Sequence, residues 1–273
     1  MLADFDTIKL RREGGVLFAK ISAPHMNLLG PDLVSDLVSL IEQAEADDGV
    51  QVVVFSSADR DYFIPHVDVT RIGENREPTA RLVGEPSLGL LFRRLSVSRL
   101  VTIAQIEGRV RGAGSEFVLA CDMRFAAKET AIFGQFEPAF GAIPGAGAAQ
   151  HLARLMGRGR ALEVMLSAGD YDADLAERYG WINRALPAAE LPSFVAAIAS
   201  RVAAIPASGR AAVKDRVNAI CLASVEDFRR DSDLFYQDIQ KPEAQKRLKA
   251  ALSHGLQTRE VELNLPNLLA QLP

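Results

Sequence analysis

Two glutamates, Glu116 and Glu137, stand twenty-one positions apart, each inside a glycine-rich and otherwise apolar stretch, RGAGSEFVLACD and FGQFEPAFGAIPGAG. A carboxylate costs free energy to desolvate, so two of them in such surroundings need a reason. The glycines beside each let another backbone or a ligand come close. Burial raises a carboxyl pKa towards neutrality, where one such group takes a proton and another gives one. For either residue alone, a surface glutamate beside a turn is the competing reading. Together they are the best functional clue in the chain.

Other chemistries find less support. The GAG triplets at 112–114 and 145–147 lack the third glycine of a dinucleotide fingerprint, where Phe117 and Gln150 stand instead. His25, His66, His151 and His254 are isolated, and no His or Cys pair has ligand spacing, so no metal site is expected. Ser115 is followed by Glu116 and Phe117, which is no nucleophile elbow.

The elements that must hold the two glutamates read as α/β. VLFAKI (16–21) and VQVVVFS (50–56) are β-branched runs of strand length. Between them Leu33, Leu37, Val38, Ile41 and Ala44 recur at helical spacing, with Pro31 at the start and Gly49 past the end. The pattern repeats with LVTIAQI (100–106) as strand, a glycine turn, SEFVLACD as a short apolar helix and MRFAA as strand. Helical segments follow at 146–157, 160–168 and 172–179. From about 189 the chain reads as helix alone, at 189–204, 207–222, 224–239 and 242–253. The stretch 59–87 reads as irregular, and a loop of that length is usually functional or mobile. The tail TREVELNLPNLLAQLP carries many leucines and is expected to pack on the body rather than on a neighbouring subunit.

Bulk numbers agree with a soluble globular protein. Of 273 residues, 48% are hydrophobic and 24% charged, and the net charge of −4 gives no basic field for nucleic acid. Cys121 and Cys221 both read as reduced core residues, and two cysteines make no disulfide framework. The N-terminus has no apolar leader segment, and no apolar run reaches the roughly 18 residues of a membrane span. A cytoplasmic location, with no membrane partner, is the expectation.

The span 101–187 resembles the crotonase (enoyl-CoA hydratase/isomerase) superfamily. IEGRVRGAGSEFVLACD is similar to the family's strand, glycine turn, Glu and helix ending in CD. FGQFEPAFGAIPGAGAA matches its second Glu and GxxPGxGG pattern, and LMGRGRALEVMLSAGDYDADLAERYGWINRALP its later helices, with Trp181 and Ile182 at a Leu-Val pair. Weaker likeness runs through the N-terminal half.

This resemblance implies a ββα-spiral, acyl-CoA-binding core, residues 1–200, and a helical C-terminal trimerisation region, residues 201–273, assembling as a homotrimer or dimer of trimers. It implies an acyl-CoA thioester substrate, with coenzyme A as part of the substrate and no separate cofactor. Two backbone N–H groups would stabilise an enolate at the thioester oxygen. Ala113 holds one donor position, between Gly112 and Gly114. Glu116 and Glu137 fall on the positions of the two hydratase glutamates, and the substrate wall would include Val67, Asp68, Pro144 and Gly145. Isomerases of the family manage with the second glutamate alone.

The chain also departs from the pattern. The other donor comes from a loop matched here by FIPHVDV, 63–69, where Pro65 replaces the donor alanine and has no N–H to give. Either His66 supplies the N–H instead or this half of the oxyanion hole is altered. The His66 ring reads equally as an acid or ligand contact behind the site and as a surface-loop histidine. Glu107 replaces a usual Asn, and Lys246, Arg247 and Lys249 stand in place of a basic CoA-binding motif, reading as a solvated face. A family hydrolase of C–C or thioester bonds, and a non-catalytic member, remain alternatives.

Overall fold

The computed structural model describes residues 4–273. A hairpin of β1 (Ile8–Glu13) and β2 (Val16–Ile21) opens the fold. A single turn, α1 (Pro24–Asn27), has His25, Met26 and Asn27 at positive φ. That conformation is costly for side-chain-bearing residues, and Asn27 holds it in place. Its Oδ1 accepts the Ala23 N–H, and its Nδ2 donates to Ser57 Oγ and to the carbonyls of Tyr62 and Phe63. The turn is thereby tied to the segment that leads to His66. Helix α2 (Pro31–Ala46) follows, with proline in its first turn and one apolar face buried.

Three successive units of strand, short strand and helix then wind into a spiral. The first is β3 (Val52–Ser57), β4 (Tyr62–Ile64), a 3-10 turn at 72–75, α3 (Arg76–Val83) and α4 (Leu88–Ser96). The second is β5 (Val101–Ile106), β6 (Arg109–Arg111) and α5 (Ala113–Ala120). The third is β7 (Met123–Ala127), β8 (Ile132–Gly134), a 3-10 turn at Glu137–Phe140 and α6 (Ala148–Ser167). Strand β9 (Tyr171–Asp172), α7 (Ala173–Tyr179) and β10 (Arg184–Leu186) complete the two sheets. One sheet runs β1-β2-β3-β5-β7-β10, parallel apart from the hairpin; the other runs β4-β6-β8-β9.

Alternation along the central strands divides the core. Val53 and Phe55 of β3 face the main cluster, whereas Val52 and Val54 face α8 (Leu191–Ala203) with Val101, Ile103 and Phe125. A parallel sheet covered on both faces explains why its strands read as continuous apolar runs. Helices α9 (Ala207–Cys221), α10 (Val225–Ile239), α11 (Pro242–Ser253), α12 (Arg259–Glu262) and α13 (Leu265–Leu269) form the C-terminal region.

The architecture is the α/β spiral with a helical C-terminal region that the resemblance implied. The stretch 59–87 is not structureless, since it holds β4, the 3-10 turn and α3. Three residues are too few to show strand alternation, and Thr79 is the buried residue of α3, so neither leaves a periodic trace. The helical segments expected at 146–157 and 160–168 are the two pieces of α6, which is broken at Gly157 by a non-helical φ of 79° and ψ of 161°. Cys121 is buried, its thiol pushed up to about 12 by loss of solvent, but Cys221 is exposed and not a core residue. The tail packs on the body as expected: Leu265, Leu268, Leu269 and Leu272 join Phe136 and Leu256 in a separate apolar cluster. Among the described residues no single helix is long and apolar enough to cross a membrane.

Candidate active site

Strand β6 ends at Arg111, and Gly112 turns the chain at φ 50° into α5. Gly114 sits so close to the end of β4 that a Cβ there would lie 1.9 Å from the Ile64 carbonyl oxygen. Glycine is required at this contact. Every residue of α5 is buried, Glu116 included. Its carboxylate is oriented by the GAG turn before α6: Oε1 accepts the N–H of Ala146 at 2.7 Å and of Ala148 at 3.0 Å. Glu137 opens the 3-10 turn after β8, and its Oε2 accepts from Gln135 Nε2 at 2.8 Å.

Both carboxyl groups line one cavity of about 310 Å³. Burial drives the Glu116 pKa well above the ordinary 4.5, and the neighbouring Glu137 charge pushes it further against its two N–H bonds. Burial also raises Glu137, opposed by backbone and Gln135 hydrogen bonds and by His66. Two interacting carboxyl groups with raised pKa values titrate as a pair rather than separately.

Ala113 and His66 lie in the same cavity wall. Among the described residues neither of their backbone N–H groups meets a protein acceptor. The His66 side chain is not on the surface. It is 1% exposed, with Nδ1 2.6 Å from the Val67 carbonyl oxygen and Nε2 2.8 Å from Glu262 Oε1. Burial opposes protonation of the ring, but the Glu262 carboxylate outweighs it and the pKa lies above the usual 6.5. For Glu262, burial acts upwards and the His66 charge downwards, and the pKa lies below 4.5. Behind them Arg111 donates from Nη1 to the Glu262 carbonyl at 2.9 Å and grips Asp170 with Nε and Nη2 at 2.7 and 2.6 Å.

Val67 and Gly145 also line the cavity, whereas Pro65, Asp68, Gly112, Gly114 and Pro144 stand outside its lining. Pro65 and Pro144 are buried behind it. Asp68 accepts from Thr70 and from Gln257 Nε2, which ties its loop to the C-terminal segment. The remaining walls were not foreseen. Phe235, Tyr236 and Ile239 of α10 and Ala244 and Leu248 of α11 close one side. Val69, Phe136 and Phe140 add further apolar surface. Lys246 and Lys249 are exposed, but Arg247 is half-buried and donates to the Ala139 carbonyl. Among the described residues no group of His, Cys, Asp and Glu could hold a metal.

Over residues 11–255 the sequence matches the family described as enoyl-CoA hydratase/isomerase. The chain belongs to that family. A short-chain-enoyl-CoA hydratase of Clostridium acetobutylicum is 31% identical over 201 residues, 73% of this chain and 76% of that protein. A crotonyl-CoA hydratase of Syntrophomonas wolfei is 30% identical over 200 residues, 72% of this chain and 76% of that protein. The crystal structure of a provisionally assigned enoyl-CoA hydratase from Streptomyces avermitilis superposes with a TM-score of 0.97. It is 51% identical and covers 100% of this chain and 99% of that one. Members of the enoyl-CoA hydratase/isomerase family process acyl-CoA, and the crotonase resemblance read from residues 101–187 is membership.

Proposed function

We propose that the protein adds water across the double bond of a 2-enoyl-CoA thioester, using Glu116 and Glu137 as a proton-exchanging pair. The carrying observation is one cavity that presents two carboxyl groups of raised pKa beside the His66 and Ala113 N–H groups. The thioester oxygen takes hydrogen bonds from those two N–H groups, which receive the negative charge that develops on it. Pro65 cannot donate, and His66, the next residue, takes its place. The pair holds one proton in the active form. Water attacks the β-carbon while giving a proton to the ionised member. The enolate then takes a proton at the α-carbon from the protonated member, so one H and one OH enter the substrate and the pair keeps one proton.

Coenzyme A enters as part of the substrate and no separate cofactor takes part. The apolar walls from α10, α11 and the Glu137–Phe140 turn suit an acyl chain. Residues 1–200 form the catalytic core in this reading. Residues 201–273 close the cavity and carry the contacts of a trimer or pair of trimers in the cytoplasm. A hydrolase would use the His66 ring to activate water or to orient a carbonyl, and the engagement of both ring nitrogens by Val67 and Glu262 speaks against the first of these.

Steady-state hydration of crotonyl-CoA and longer 2-enoyl-CoAs by wild type and Glu137→Gln tests the reading. Turnover by the wild type, with a large loss in the variant, supports it. No turnover on any 2-enoyl- or 3-enoyl-CoA sinks it. Conversion of 3-enoyl-CoA that survives Glu116→Gln would assign isomerisation instead, because that reaction needs only the second glutamate.

A further inference from the structure

Behind the cavity wall lies a buried set of charged groups that water addition does not consume. His66 and Arg111 are each 1% exposed, and Glu262 is fully enclosed. The imidazole meets an acceptor at both nitrogens. The Val67 carbonyl only accepts, so Nδ1 carries its hydrogen. Nε2 faces Glu262 Oε1, which already accepts the Gln257 N–H at 3.0 Å. Glu262 Oε2 lies 3.9 Å from the Arg111 guanidinium. An N–H donor and a cation both favour a carboxylate over a carboxylic acid, so Nε2 donates as well. A ring that donates from both nitrogens is an imidazolium.

The geometry points to a positioning role for Glu262. Carried by α12, it holds His66 as a doubly donating imidazolium, which fixes the loop bearing the His66 N–H and sets a positive charge behind the thioester oxygen. This rests on the hydratase reading of the cavity. Arg111 does not duplicate that charge, because Asp170 holds its Nε and Nη2. Glu137, from the turn after β8, is a further titratable group that interacts with the ring. The Phe136 ring stands edge-on to His66 at 5.5 Å and excludes water from that side. The raised pKa of His66 agrees with the hydrogen-bond count.

Ring nitrogen NMR on the 15N-labelled full chain reads the charge without any substrate. A His66 ring that stays doubly protonated through neutral pH in the wild type, and turns neutral with Nδ1–H retained in E262Q, is the expected result. A neutral ring in the wild type below pH about 6.5, the ordinary histidine value, overturns the proposal.

Kinetics provide the second readout. E262Q should lower kcat roughly 10- to 100-fold, short of the 10²–10³ lost with an oxyanion donor. KM should move less than about threefold, with partial recovery in E262D, as expected of a group felt mainly in the transition state. Equal kcat in folded wild type and E262Q also overturns it. Should E262Q not fold, the wild-type ring titration alone decides. Absence of turnover in the wild type refutes the hydratase reading instead, and the NMR result still decides the imidazolium.

Discussion

Two walls meet at the cavity, and they are held in different ways. The Gly112–Glu116 wall is set by its own stretch of chain: β6 delivers Gly112, α5 starts at Ala113, and Glu116 follows within the first turn. The His66–Val67 wall belongs to no helix, and its backbone is paired with Leu29 through a bridge at Val67. Its anchor is Glu262, 196 positions away. A wall built on a regular element inherits its geometry from that element. A loop wall borrows rigidity from remote side chains, so its shape depends on their protonation as well as their packing.

The largest expected effect falls on the local wall and its partner carboxylate. Glu137→Gln should lower kcat for hydration by about 10²–10⁴-fold with little change in melting temperature. A loss below tenfold in steady-state assays would remove the chemical basis of the comparison. Next comes Gly114→Ala. Its methyl group would collide with the Ile64 carbonyl oxygen, where the two walls touch, and should destabilise the fold by about 3 kcal/mol or more. Thermal melting or soluble yield reports it, and a neutral result would show that the contact is slack.

Gly112→Ala is milder. The backbone there, with φ 50° and ψ −128°, is one that residues with a Cβ rarely adopt, and it costs an alanine roughly 1–3 kcal/mol. Its Cβ would sit 3.1 Å from Glu137 Oε1 and 3.3 Å from the His66 Cβ. Activity should therefore fall further than stability. Equal losses in kcat/KM and in unfolding free energy would mean that this residue belongs to the scaffold alone.

The smallest effect sharpens the comparison most. His66 has a folded pKa above 6.5, so its contribution to stability is complete below that value and fades as pH rises through the folded pKa. Glu262 has a folded pKa below 4.5, so its share is present above 4.5 and is lost on acidification. The pair is thus fully effective between those two values. Glu116 and Glu137, with raised pKa values, add an alkaline loss of their own that a His66 variant shares. Between about pH 6 and about pH 9 the wild type should lose more melting temperature than His66→Gln. Parallel curves would show that protonation does not hold the loop.

Much of the local wall was legible because its signals are local. A glycine turn, a carboxylate and an apolar helix occupy ten consecutive residues, and the β-branched strands that carry them announce themselves by composition. The loop wall was half legible. Pro65 was visible as a missing donor, but nothing near His66 in sequence says that its ring is buried. Glu262 lies in a segment whose leucines dominate any reading, and a single charge among them looks solvated. Its burial follows from α12 docking beside β6, which no periodicity encodes. Cys221 misled for the converse reason: α9 has apolar residues on more than one face, and Val213, Val217 and Ile220 stay exposed along with the thiol.

The separation between His66 and Glu262 also orders events in time. A ribosome adds about 5–20 residues per second, so about 10–40 s pass between the synthesis of these two partners. The strands and α5 that carry Glu116 have all left the peptidyl-transfer centre well before Glu262 is made. Until Glu262 is made, the His66 loop lacks that partner. The His66 loop is the last part of the cavity lining to gain its partner, and a chain released before residue 262 would contain both glutamates but not the carboxylate that His66 meets.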